Sequence, residues 1–128
     1  ILYSSVLSIN EVCKMNFTKK LKLTKVMKKM NASVAIQILP DVQNDDELIR
    51  IVDEVIAYIK STGLNCYVGP FETTIEGESY DELMEIVKEC SKIAIKAGAP
   101  AVSSYIKTVY KPEGGVLTID KKVTKLHS

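Results

Sequence analysis

From residue 33 onward the hydrophobic pattern switches between a strand period and a helix period, and the order of those switches leaves few folds open. Residues 33–39 alternate, with Val34, Ile36 and Ile38 on one face and Ala35, Gln37 and Leu39 on the other, until Pro40 ends the run. Helical spacing follows. Leu48, Val52, Val55 and Ile59 recur at three- and four-residue steps, Asn44 and Glu47 form a capping pair ahead of them, and Gly63 sits where a C-terminal cap belongs. Residues 65–70 and 72–77 read as two short strands. Ser79 and Glu82 repeat the capping pair before a second helix that buries Leu83, Val87, Cys90 and Ala94 and stops near Gly98 and Pro100. Residues 101–110 form a fourth strand. After the turn at Pro112-Glu113-Gly114-Gly115, residues 116–126 read as a short strand or an irregular tail.

The resulting order, β-α-β-β-α-β, predicts an α+β ferredoxin-like sandwich, a four-stranded antiparallel sheet with two helices on one face. The other face is left open, and an open face on a small domain commonly meets a ligand or another subunit. By strand parity Gln37, Glu72, Thr74 and Glu76 share that face with Ser103, Tyr105 and Lys107, while Thr73 and Ile75 turn toward the helices. A bulge at Pro70-Phe71 would reverse the third strand and bring Thr73 forward instead. Carboxylates and hydroxyls along one strand can accept from a small cationic or amino-bearing ligand. A solvated outer face accounts for them equally well at this level.

The formal charge of +1 conceals an asymmetry. Residues 1–30 hold seven lysines against Glu11, so the remainder carries ten basic side chains against fifteen acidic ones, a net of −5. An acidic folded part argues against a nucleic-acid surface, where phosphate contacts require clustered Lys and Arg. The chain does not begin with Met, and three readings fit its first 30 residues: an upstream region included by a wrong start, a basic arm, or a targeting peptide. In a secretory signal the charges precede the apolar stretch, and here they follow it. Residues 1–30 are therefore expected to lie outside the fold, and 31–128 to form the domain. No run of eighteen apolar residues occurs, so no membrane span is expected. Cys13, Cys66 and Cys90 are odd in number and widely spaced, which encodes neither a zinc knuckle nor a redox pair. Free thiols on a strand and a helix fit a reducing cytoplasm.

Several chemistries known on this architecture lack their residues. Acylphosphatase-type catalysis needs an arginine in a phosphate-binding loop, and the single arginine, Arg50, falls inside a helix. Copper chaperones need a cysteine pair where this chain has Asp41-Val42-Gln43-Asn44. RNA-recognition domains need stacking aromatics on the central strands, and the first strand has none. The acidic cluster Asp41, Asp45, Asp46 and Glu47 lacks a coordinating pattern and matches the negative charge expected at a helix start, so no metal is expected. With one histidine, His127 at the tail, no nucleophile has a base beside it. Glu72 and Glu76 could act as an acid/base pair, but acceptors for a bound amine are the simpler role.

The opening strand Val34-Ala35-Ile36-Gln37-Ile38-Leu39-Pro40, the helix end Ile59-Lys60-Ser61-Thr62-Gly63-Leu64, the run from Gly69-Pro70 through Thr73-Thr74-Ile75-Glu76-Gly77, and the Ile106-Lys107 strand resemble the thiamine-binding protein family over roughly residues 31–126. The resemblance implies a non-enzymatic, cofactor-free binder of thiamine or its hydroxymethylpyrimidine moiety, assembled through open sheet faces into a homodimer or homotetramer. It places Thr73 and Glu76 on the family motif and Gln37 at the matching first-strand position. With the parity argument, the expected ligand-binding set is Gln37, Glu72, Thr73, Thr74, Glu76 and Ser103. Phe71-Glu72 stands where relatives carry a smaller pair, which adds charge and bulk beside the site.

Overall fold

The computed structural model describes residues 29–127. The elements run β1 (Ala32–Pro40), α1 (Asp45–Ser61), β2 (Asn65–Val68), β3 (Thr73–Gly77), α2 (Tyr80–Lys96), β4 (Val102–Tyr110) and α3 (Ile119–His127). The four strands form one antiparallel sheet in the order β2-β3-β1-β4, which is the ferredoxin-like arrangement. The expectation about the basic segment falls on residues outside those described, apart from Lys29 and Met30. Met30 already belongs to the fold, because its carbonyl accepts from the Val116 amide at 2.7 Å.

Local chemistry explains where the helices begin and end. Asn44 Oδ1 accepts from the amides of Asp46 (2.8 Å) and Glu47 (3.1 Å), and Ser79 Oγ accepts from Glu82 N (3.1 Å). Each oxygen satisfies donors that a helix start leaves without an intrahelical partner. Gly63 follows α1 with φ +75°, a left-handed conformation costly for any residue with a Cβ.

The core lies between the sheet and the helix pair. Ala32, Val34, Ile36 and Ile38 of β1 meet Ile51, Val55 and Ile59 of α1 and Leu83, Val87, Cys90 and Ala94 of α2. The α2 stripe is the one its spacing predicts. On α1 the deep position belongs to Ile51, while Leu48 and Val52 are only half-buried. Both thiols of the described part are free, Cys90 buried and Cys66 half-buried.

The tail departs from the sequence expectation. Beyond residue 118 it forms α3, so the sheet's second face is partly covered. Ile119 is buried, and Ser33 and Glu76, on strand positions that point away from α1 and α2, are buried as well.

Candidate ligand-binding site

Strand register settles the faces. Thr74 lies beside Ala35 and Glu76 beside Ser33, while Gln37, Ala35 and Leu39 lie beside Tyr105, Lys107 and Ser103 of β4. Gln37, Thr74, Glu76 and Ser103 therefore share the face turned away from α1 and α2. Glu72 reaches that face from just before β3, where its Oε1 accepts from Lys107 Nζ at 2.8 Å. Thr73 pairs with Ile36 and Val68, is 6% exposed and belongs to the helix side.

The two carboxylates of the open face are already engaged. Glu76 is 2% exposed; its Oε1 accepts from Asn65 Nδ2 at 2.7 Å and its Oε2 from the Ile119 amide at 2.8 Å. Ile119 is the first residue of α3, so the carboxylate sits at a helix N-terminus, where the backbone dipole and an otherwise orphan N–H favour a negative charge. Glu72 is neutralised by Lys107. At a rise of about 3.4 Å per residue, the four steps from Glu72 to Glu76 span roughly 13 Å, too far for two carboxylates to share a proton or a water.

The concave part of the molecule lies toward the opposite end of the sheet. A cavity of about 270 Å³ opens between α1, the last residues of β1 and the turn at 69–72. It is slightly smaller than the roughly 300–1,000 Å³ usual for small-molecule sites. Its walls include Leu48, Val52 and Asp53 of α1, Gln37 of β1, and Phe71. A smaller space of about 80 Å³ shares Ile38, Val52, Pro70 and Phe71 with it and extends to Glu72 and Thr73. Gln37 borders the larger space and Glu72 and Thr73 the smaller one beside it, so the three stand at the same end of the sheet although parity puts them on different faces. Thr74, Glu76 and Ser103 line neither space.

A backbone constraint shapes the wall formed by the turn. The Gly69 amide donates to the Glu72 carbonyl at 2.9 Å, and a Cβ on residue 69 would come within 3.0 Å of that same oxygen. A side chain at residue 69 would push that carbonyl back by a few tenths of an ångström. The turn holds Phe71 at the rim of both spaces with its side chain 79% exposed.

Asp53 is the cleft residue that sequence reasoning missed, and Leu48 and Val52 were read as ordinary core. One signal was present. Ile49 continues the apolar stripe sideways around α1 beside Leu48 and Val52 and stands exposed, a face wider than the packed contact covers. Among the described residues no three His, Cys, Asp or Glu side chains converge on a metal position.

A family model described as thiamine-binding protein matches residues 34–127, from the first core strand through α3. The chain belongs to the thiamine-binding protein family. A UPF0045 protein of Clostridium perfringens is 52% identical over 93 residues, spanning 73% of this chain and 94% of that protein. Among solved structures, a candidate thiamine biosynthesis/salvage protein of Thermotoga maritima is 35% identical with a TM-score of 0.65, covering 74% of this chain and 97% of that one. A Streptococcus pneumoniae protein is 40% identical with a TM-score of 0.63, covering 74% and 99%. In this member of the thiamine-binding family the larger space brings an amide residue, Gln37, and a carboxylate residue, Asp53, to apolar walls, a set suited to hydrogen-bonding the edge of a flat ring while covering its faces. No helix among the described residues is long and apolar enough to cross a membrane.

Proposed function

We propose that the chain is a non-enzymatic, homo-oligomeric binder of thiamine or a hydroxymethylpyrimidine-like molecule, working in a reducing cytoplasm, with its ligand seated in the cleft at the Gln37 end of the sheet. The carrying observation is a pair of adjoining apolar-walled spaces at one end of the sheet, the larger bordered by Gln37 and the smaller by Glu72 and Thr73, in a chain of this family. The Gln37 amide both donates and accepts, matching the mixed edge of an aminopyrimidine. Glu72 spends one oxygen on Lys107 and keeps lone pairs for an exocyclic amine, a charge-assisted bond. The cleft holds no nucleophile with an adjacent base, which favours binding over turnover.

The rest of the open face supports assembly. Leu39, Tyr105 and Val109 lie exposed on it, Tyr105 to 65%, and together they form an apolar surface that a second copy can cover. That surface also favours a second reading, a structural or regulatory subunit whose face serves assembly alone.

Calorimetric titration of the full chain with thiamine, hydroxymethylpyrimidine and thiamine diphosphate separates the two, with sedimentation run in parallel. The binder gives saturable heat with thiamine, weakened by roughly 1.5–3 kcal/mol in Glu72→Gln, the scale of a hydrogen bond to a charged group. Absence of heat with all three, from a folded oligomer that Tyr105→Lys dissociates, establishes the assembly role instead.

A further inference from the structure

Three carboxylates stand along the sheet and its cleft, and their commitments differ. Glu76 is sealed between Asn65 and Ile119, and Glu72 is paired with Lys107. Asp53 lines the larger cavity from α1, and among the described residues its carboxylate takes part in no hydrogen bond or ion pair. Arg50, the nearest cation along the helix, is occupied elsewhere. Its guanidinium donates to Glu47, to Glu54 Oε1 at 3.1 Å and to the Ala97 carbonyl at 2.6 Å. An unneutralised carboxylate at an apolar cavity is the feature a cationic ligand would exploit, because a charge pair strengthens as its surroundings exclude water. Phe71 lines the same cavity with its ring largely uncovered. An aromatic face carries negative electrostatic potential and attracts cations in addition to stacking on flat rings.

We propose that Asp53 and Phe71 form a cation-selecting mouth to the cleft: the Phe71 ring stacks on a flat heteroaromatic cation, and the Asp53 carboxylate offsets its charge. This deepens the binding reading and rests on the cleft being the ligand site. It assigns most of the charge selectivity to Asp53 and most of the contact area to Phe71, both outside the Glu76 motif. The ring of residue 71 supplies contact area to charged and neutral ligands alike, whereas residue 53 separates one from the other. Both side chains are exposed and outside the core, so their replacement leaves the fold intact.

The test titrates the full-length chain and its Asp53→Asn, Phe71→Ala and Phe71→Tyr variants at pH 7.5. The probes are thiamine, N-methylquinolinium as a flat cation without a pyrimidine, and quinoline as its neutral counterpart. The wild type should hold N-methylquinolinium about fivefold tighter than quinoline, a preference that Asp53→Asn abolishes, the upper end of what a charge pair at an exposed carboxylate supplies. Phe71→Ala should weaken all three probes by about tenfold, the scale of one stacking contact, and Phe71→Tyr should restore them. Thiamine binding that survives both Asp53→Asn and Phe71→Ala unchanged overturns the mouth while leaving the binding function standing. Failure to bind thiamine, with the Asp53-dependent preference for N-methylquinolinium intact, removes the thiamine reading and keeps the mouth. Equal affinity of the wild type for the cation and the neutral ring, or no binding of either, refutes the proposal.

Discussion

Replacing Glu76 with alanine tests whether one buried carboxylate fastens the C-terminal helix to the sheet. Glu76→Ala removes an acceptor from Asn65 Nδ2 and another from the Ile119 amide. Hydrogen bonds to a charged group are worth roughly 1.5–3 kcal/mol each. Part of that loss is recovered, since Asn65 is exposed and regains water and the cost of burying a carboxylate disappears. The buried Ile119 amide has no such outlet. The net destabilisation should be about 2–3 kcal/mol, or a fall in Tm of roughly 8–24 °C for a domain of this size. A helix of 9 residues does not persist without tertiary support, so α3 should release before the rest unfolds. Urea denaturation reads the first quantity, and tryptic cleavage after Lys121, Lys122 and Lys125 reads the second. Glu76→Gln is the milder companion. The Asn65 amide can turn its oxygen toward the new NH₂ while the remaining carbonyl keeps Ile119, so only about 1 kcal/mol should be lost. Glu76→Ala with stability within about 0.5 kcal/mol of wild type, and with unchanged cleavage at the three lysines, refutes the fastening role. Thiamine affinity abolished by Glu76→Gln at undiminished stability refutes the placement of the ligand in the cleft.

Three further outcomes follow from the core. Leu83→Ala should cost about 2–5 kcal/mol in urea denaturation. Leu83 is fully buried, and its Cδ2 packs beside Gly77. Burial, reinforced by the nearby Glu89 charge, pushes the Cys90 thiol up to about 11. Because the fold raises this pKa, the neutral thiol's contribution is fully present below pH 9.0 and is lost as pH rises through about 11, so stability should decline across that window. Native protein should resist alkylation at Cys90 at pH 8, with modification appearing only in denaturant; rapid native modification contradicts the burial.

The alternation in residues 33–39, the two capping residues Asn44 and Ser79 and the α2 stripe are local quantities. Each depends on neighbours within four residues, and each could be read along the chain and found again in the fold. Strand parity worked for the same reason, since a regular strand places alternate side chains on opposite faces whatever it pairs with. It put Gln37, Thr74, Glu76 and Ser103 on one face. The state of those side chains was not legible. Glu76 gained its partners from Asn65, eleven residues back, and Ile119, forty-three residues ahead, and no periodicity encodes such meetings. The third helix escaped notice because Ile119, Val123 and Leu126 form too short a stripe, behind two glycines, to compete with a tail reading.

The order of elements from β1 through β4, most of the core side chains and the residues that carry a family likeness were legible along the chain. These follow from hydrophobic period and backbone preference, both short-range. Tertiary structure decided which polar groups remain available. It sealed Glu76 under α3, tied Glu72 to Lys107, and set Gln37, Asp53 and Phe71 around one space at the sheet's end with Thr73 at the smaller space beside it. Availability depends on every partner the folded chain brings within about 3 Å, and those partners come from distant parts of the sequence.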